Sequence, residues 1–237
     1  MPTSAPDADA ALAAVAGIEG WLTEGQVRAL FDAAAAVPPG GRVVEIGSFR
    51  GRSTVVLALA APEGVEVVAI DPHAGNDRGP QEIAGYEAEA EDDHAVFLAN
   101  LAAAGVADRV TVVRAFSGEA HGEVPGSVDL LWVDGAHRYA PARDDLRDWG
   151  ARVLPGGRML VHDSWCSVGV TLATLRALTA GGEWRYDGRV GSLACWTKVP
   201  ASRANRRRQL AELPWFAANV ARKARIVLTR SDAPWPY

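Results

Sequence analysis

Two short segments hold most of the side chains that could do chemistry. One reads Trp132-Val133-Asp134-Gly135-Ala136-His137, the other Leu160-Val161-His162-Asp163-Ser164-Trp165. Each is an apolar run that ends in a carboxylate with an imidazole beside it. If the two runs are adjacent strands, Asp134, His162 and Asp163 meet at one rim. Converging carboxylates repel each other unless a cation or a proton lies between them. Two carboxylates and an imidazole suit a divalent cation, and the carboxylate share favours Mg2+ or Mn2+ over zinc. An imidazole, with an ordinary pKa of ~6.5, is a group that can take a proton at neutral pH. The structural alternative for His137 is a surface histidine at a helix start. His162 is open between ligand, second base and plain hydrogen-bonding group.

A second group surrounds Val44-Glu45-Ile46-Gly47-Ser48-Phe49-Arg50-Gly51-Arg52-Ser53-Thr54. Glycines at 47 and 51 let backbone approach a ligand, and the loop runs into a helix N-terminus. Asp71 follows Gly47 by 24 residues, at the end of the next β-rich run. A carboxylate there can accept the hydroxyls of a ribose, so a nucleoside is the ligand this pair suits. The dinucleotide pattern G-x-G-x-x-G is not met, because Phe49 stands where its second glycine belongs. The structural alternative for the loop is a plain tight turn, which leaves Asp71 unexplained. Of the other histidines, His73 lies near this rim, while His94 and His121 read as peripheral.

These residues need a frame to hold them. Arg42–Gly47, Val65–Asp71, Arg109–Arg114, Val128–Asp134 and Arg158–Asp163 read as strands. Ser53–Ala61, Tyr86–Ala104, Pro141–Arg152 and Val168–Thr179 read as the helices between them. Alternating β and α units of this length imply a parallel sheet with helices on both faces. Ligands of such sheets bind outside the carboxyl ends of the strands, where Gly47, Asp71, Asp134 and Asp163 all fall. Glu183–Asp187 and Val190–Lys198 form a closing hairpin around Gly188 and Gly191. Ala8–Ala16 and Glu24–Ala36 are helices ahead of the first strand, the second with a Thr23/Gln26 capping box. The polar loop Pro72–Gly85 is a candidate cover for the site.

The chain has 237 residues, 49% apolar and 22% charged, with two cysteines, Cys166 and Cys195. That excludes a disordered chain, a coiled coil, a disulfide scaffold and a zinc ribbon. No apolar run approaches the ~20 residues that span a bilayer. The N-terminus lacks a basic signal start, so a cytoplasmic location is expected. The net charge of −5 argues against a nucleic-acid partner. From Lys198 onward nine basic residues face two acids, giving +7 and leaving −12 for the rest. This basic tail reads as a solvated face or a clasp onto the acidic body; the alternative is a phosphate or membrane surface.

The E-x-G-x-x-x-G loop with Asp71 resembles the first motif of class I S-adenosylmethionine-dependent methyltransferases. D-G-A-H, then Tyr139, Asp144-Asp145 and L-P-G-G…V-H-D, resemble their metal-dependent small-molecule O-methyltransferase branch, nearest to the enzymes acting on sugar hydroxyls. The match covers roughly residues 40 to 197. It implies a Rossmann-like doubly wound α/β fold with a seven-stranded, mostly parallel sheet and an antiparallel C-terminal strand. The N-terminal helices (1–39), the catalytic domain (40–199) and the basic helical tail (200–237) would be its parts. It implies that S-adenosyl-L-methionine is bound by Glu45, Gly47, Ser48, Gly51, Ser53, Asp71, Ser117 and Asp134, with Ser117 at the adenine. Mg2+ or Mn2+ would sit on Asp134, His162 and Asp163, with His137 as general base. Related enzymes often carry an acid at position 162, and His162 makes the site less negative. Tyr139, Trp165 and the loop Pro72–Gly85 are acceptor-pocket candidates. Small size with a basic tail is also similar to the methylmannose-polysaccharide 1-O-methyltransferases, which implies the 1-hydroxyl of a methylated mannoside.

Other classes stay open. A metal-independent methyltransferase of the same fold would keep turning over in a chelator. A non-catalytic binding protein would act through its basic tail. A nicotinamide oxidoreductase is disfavoured by Phe49 and by lysines only at 198 and 223. The motif N/D-P-P-Y of amino-group methyltransferases is absent, since D-G-A-H occupies its place, which tilts the acceptor atom toward oxygen. A homodimer is the default assembly.

Overall fold

A computed structural model describes residues 7–74 and 87–229. Most of the proposed cover loop, together with Trp235 and Tyr237, lies outside these residues. Seven strands form one sheet: β1 (Arg42–Ile46), β2 (Glu66–Ile70), β3 (Val110–Val113), β4 (Val128–Val133), β5 (Val153–Val161), β6 (Arg185–Val190) and β7 (Leu193–Thr197). Their order is β3-β2-β1-β4-β5-β7-β6. The first five are parallel, and β7 runs antiparallel to both its neighbours. This is the expected Rossmann-like, doubly wound arrangement.

Both faces of the sheet are covered, as the apolar strands require. One face buries Val43, Val67 and Trp132 against α1 (Ala8–Ala14), α2 (Glu24–Ala35), α3 (Arg52–Ala60) and α4 (Glu87–Ala103). The other buries Val44, Val68 and Leu131 against α5 (Tyr139–Arg152) and α6 (Val168–Thr174). The Thr23 side chain accepts from Gln26 N, and Gln26 Oε1 accepts from Thr23 N at 2.8 Å, so the capping box forms. Gln26 Nε2 also donates to Ser192 Oγ at 3.1 Å, tying α2 to the β6–β7 turn.

Three boundaries differ from expectation. Pro155-Gly156-Gly157 lies inside β5 rather than before it. Pairing with β4 shifts register there, so no ladder hydrogen bond is lost at proline. Gly188 sits within β6 at a second shift, and the reversal falls at Gly191, whose φ is 59°. The helix from Val168 changes at Leu175 to a π turn, Leu175–Thr179.

The basic tail forms α7 (Arg203–Leu210) and α8 (Leu213–Thr229). Asn205 Oδ1 accepts from Tyr186 N at 2.8 Å, and its Nδ2 donates to Tyr186 O at 2.7 Å. One side chain thus satisfies both backbone groups of Tyr186 on the outer edge of β6, an edge that if left open invites pairing with another chain. Arg189 stacks 3.8 Å from the Trp215 ring centroid and pairs with Glu212 at 2.8 Å. No described helix is long and apolar enough to cross a membrane.

Candidate active site

Strand register brings the chemistry together. Ile46 lies beside Ile70 in β2 and Val133 in β4, and Val133 lies beside Val161 in β5. The ladder continues one step beyond each strand: Gly47 N to Ile70 O at 2.9 Å, Asp134 N to Ile46 O at 2.8 Å, His162 N to Val133 O at 2.9 Å. Gly47, Asp71, Asp134 and His162 therefore emerge at one edge, the carboxyl ends of the parallel strands.

A cavity of about 490 Å3 opens there, lined by Gly47, Ser48, Phe49, Ser53, Asp71, Ser117, Asp134 and His137 among others. That volume is in the range of small-ligand sites. Gly47 has φ 87°, and a Cβ on it would collide with the Asp134 carbonyl and come within 2.8 Å of Gly135 Cα. Only glycine lets the β1 and β4 ends approach this closely. Ser48 Oγ is buried and has no partner among the described residues, an open hydroxyl in the cavity wall.

Asp71 organises the loop. Its Oδ2 accepts from Ser48 N at 2.8 Å and Phe49 N at 2.9 Å, and its Oδ1 accepts from His73 N at 2.7 Å. A carboxylate has about four acceptor sites, so one is left for a ligand hydroxyl. Glu45 and Gly51 do not line the cavity. Glu45 is fully buried behind it, accepting from the hydroxyls of Ser53 and, at 2.5 Å, Thr54. Burial pushes its carboxyl up to about 8, against the pull of those two hydroxyls. Gly51 is the left-handed N-cap of α3, where a Cβ would press within 3.0 Å of Phe97.

Asp134, His162 and Asp163 converge, with one ligand atom from each within 4.8 Å of the others. His162 Nδ1 lies 3.0 Å from Asp134 Oδ1 and 3.5 Å from Asp163 Oδ2. Burial disfavours charge on this ring, but the two carboxylates overcome it and raise its pKa to about 10. Asp163, though burial opposes ionisation, is held well below the usual carboxylate range by His162 and His137. His137 Nε2 lies 2.9 Å from Asp163 Oδ2. The Cys166 thiol donates to Asp163 Oδ1 at 3.0 Å and fixes the carboxylate from the other side. His137 and Asp134 face the cavity; His162 and Asp163 lie behind them, 3% and 5% exposed.

Backbone strain marks the same edge. Among the described residues, Phe49, His73, Asp163 and Trp165 are the non-glycine residues with positive φ, at 45°, 46°, 54° and 63°. Each follows a strand end. Strain of about 1–3 kcal/mol per residue persists only where the surroundings enforce it, as functional sites do.

Residues 44–164, more than half of the chain, match a family model described as a methyltransferase domain. The chain belongs to this methyltransferase family. Among solved structures, cofactor-bound Rv0187 from MTB is 24% identical, with a TM-score of 0.57, covering 80% of this chain and 88% of that one. The O-methyltransferase NovP is 18% identical, with a TM-score of 0.57, covering 74% and 80%. TomG from Streptomyces achromogenes, an O-methyltransferase of tomaymycin synthesis in complex with SAM, is 18% identical, with a TM-score of 0.56, covering 81% and 87%. At these identities the likeness is one of fold.

In this methyltransferase the acceptor-pocket candidates separate. Trp165 is fully buried against Tyr186, a core residue rather than a cavity wall. Tyr139 is exposed and off the cavity. His73 does line it, on a ring packed against His94 and Phe97. His121 stacks on Trp149, away from the cavity. Among the described residues none of α7 or α8 lines it. Two contributors were not among the site residues expected from the sequence. Glu19, Gly20, Trp21 and Leu22 bring the segment between α1 and α2 onto the cavity, with Trp21 5.1 Å from Phe49 between ring centroids. Asp145, from α5, reaches the cavity and accepts the Ser117 hydroxyl; burial pushes its carboxyl up to about 6.

Proposed function

We propose that this methyltransferase moves a methyl group from S-adenosyl-L-methionine to a hydroxyl oxygen of a small molecule, with sugars and glycosides as the acceptor class. The observation that carries this reading is the His137 imidazole. It faces the same cavity as the Gly47 loop and Asp71, with its Nε2 held 2.9 Å from Asp163. The cofactor, when bound, supplies an electrophilic methyl group. The orphaned Ser48 hydroxyl and the spare acceptor of Asp71 fit its polar groups, Asp71 taking a ribose hydroxyl. Gly47, Ser53, Ser117 and Asp134 line its site, and Glu45 and Gly51 shape the loop from behind.

His137 removes the acceptor's hydroxyl proton at Nδ1 while its Nε2–H donates to Asp163. That hydrogen bond fixes the tautomer and stabilises the imidazolium that forms. Alignment of the two reactants supplies much of the rate, because charge is neutralised rather than created in the transfer. Residues 40–199 act as the catalytic unit, and the 1–39 cover shapes the acceptor side through Trp21 and Leu22. Buried, unpaired Cys166 and Cys195 favour a reducing, cytoplasmic setting.

Asp134, His162 and Asp163 fit Mg2+ or Mn2+. At ~2.1 Å per ligand bond, neighbouring ligands stand ~3 Å apart, and His162 Nδ1 and Asp134 Oδ1 are 3.0 Å apart. A cation there would stabilise negative charge on the acceptor oxygen. A second reading, transfer without a metal, is favoured by a specific contact. The His162 ring already lies between the two carboxylates, where its own proton can neutralise them. Transfer of labelled methyl to a panel of glycosides (including a 3-O-methylmannoside) and catechols, with and without EDTA, decides between them. Loss in EDTA and recovery with Mg2+ or Mn2+ supports the cation; full turnover in EDTA supports the proton. No transfer to any hydroxyl overturns the reading.

A further inference from the structure

The last two helices rest on the body with one face and turn the other to solvent. On α7, Asn205 holds the backbone of Tyr186 and Gln209 is buried. Arg203, Arg207 and Leu210, spaced four and three residues apart, form the outward stripe of that helix, and all three are exposed. On α8, Asn219 Nδ2 donates to Trp165 O at 3.2 Å, and Ile226 is buried. The opposite stripe runs through Ala218, Ala221, Arg225 and Leu228 and is exposed throughout. Leu210 is 43% exposed and Leu228 83%. Segment 203–229 carries seven basic residues and one acid, Glu212. That acid is already taken, by Arg189 Nε at 2.8 Å and the Tyr186 hydroxyl at 3.0 Å. The outward stripes therefore present arginine, alanine and leucine, with no carboxylate among them.

We propose that the outward faces of α7 and α8 dock the protein on an anionic lipid surface, with the arginines against headgroup phosphates and Leu210 and Leu228 in the boundary just beneath them. Charge complementarity carries the choice. The chain is +7 from Lys198 onward and −12 elsewhere, so a negatively charged plane attracts this side and repels the body. The 17 residues of α8 extend ~26 Å, long enough to lie along such a plane. Alanines between its charges let the backbone come close. A nucleic acid would meet the arginines and leave both leucines in water, whereas a bilayer interface takes both kinds of group. None of these residues lines the cavity, so docking and turnover are separable.

The test is co-sedimentation of the full chain with vesicles of phosphatidylglycerol and phosphatidylcholine in equal parts, against phosphatidylcholine alone, at ~50 mM and ~500 mM salt. Wild type is expected to bind the anionic vesicles at least about tenfold more tightly and to lose most of that preference at the higher salt. Arg203→Gln, Arg207→Gln and Arg225→Gln together should weaken binding about tenfold or more. Leu228→Ser, at unchanged charge, should weaken it about threefold or more. Thermal melts verify that both variants fold, and the comparison of the two vesicle types with wild type stands whether or not they do. Equal binding of wild type to the two vesicle types overturns the proposal, as does a folded variant of either kind that binds like wild type. Tighter binding of wild type to a DNA duplex than to the anionic vesicles overturns it in favour of a nucleic acid. A wild-type dimer in sedimentation velocity that the triple variant abolishes, with no vesicle binding, overturns it in favour of a second copy of the chain.

Discussion

His137 Nε2 lies 2.9 Å from Asp163 Oδ2, joining the loop after β4 to the loop after β5. The same oxygen lies 3.5 Å from His162 Nδ1. Asp163 therefore orients the candidate base and neutralises a buried imidazole at once, so the two residues should respond differently to substitution. His137→Ala, on a half-buried side chain, should lower kcat by ~10²–10⁴ while melting temperature and S-adenosylhomocysteine affinity hold. Asp163→Asn removes one partner of a buried pair and should cost several kcal/mol, about 3–5, as well as turnover. Steady-state kinetics with thermal denaturation check both; an unchanged His137→Ala rate across pH removes the base assignment.

Asp71 binds three backbone N–H groups of its own and the neighbouring loop. Asp71→Asn keeps the shape but offers one acceptor oxygen in place of two. S-adenosylhomocysteine affinity should fall at least tenfold, with a stability loss of about 1–3 kcal/mol from the unpaired amides. Calorimetry and urea denaturation report the two effects separately.

Gly169 is the second residue of α6, where alanine would ordinarily favour the helix by ~1 kcal/mol. Here a Cβ would collide with the His137 carbonyl and approach Tyr139 N to 2.8 Å and Arg138 C to 3.0 Å. These are backbone atoms and cannot rotate aside. Gly169→Ala should destabilise by about 1–3 kcal/mol and lower kcat by displacing His137. Leu172→Ala, on the exposed side of the same helix, should leave kcat unchanged.

Glu45 gives a pH signature. Its carboxyl is raised from 4.5 to about 8 by burial. Between those values the native chain keeps a proton that the unfolded chain releases, so this group makes stability fall as pH rises, by up to ~1.4 kcal/mol per pH unit. The contribution levels off above the folded pKa. Glu45→Gln keeps the neutral form at every pH and should be more stable than wild type at pH 8 relative to pH 5. Denaturation of both proteins across that range measures the difference.

The five parallel strands and the residues at their ends were legible in the sequence because apolar runs, glycines and proline punctuation act locally. Val128–Asp134 reads as a doubly covered strand from its composition alone, with Asp134 at its end whatever the rest of the chain does. So does the capping box of Thr23 and Gln26, which needs only one turn of helix. Local pattern did not decide which way a side chain faces once strands pair. Glu45 alternates onto the α3 face and ends behind the cavity, while Gly47, two residues on, lines it. Trp165 and Trp21 are equally aromatic; packing against Tyr186 buries one in the core, and the path of the segment before α2 sets the other beside Phe49. Asp145 reads as one more acid on a charged helix until α5 docks and brings it to Ser117. Sequence determined which groups exist and at which strand ends; contacts between residues far apart in the chain decided which of them share a cavity, because burial and hydrogen bonding act on neighbours in space.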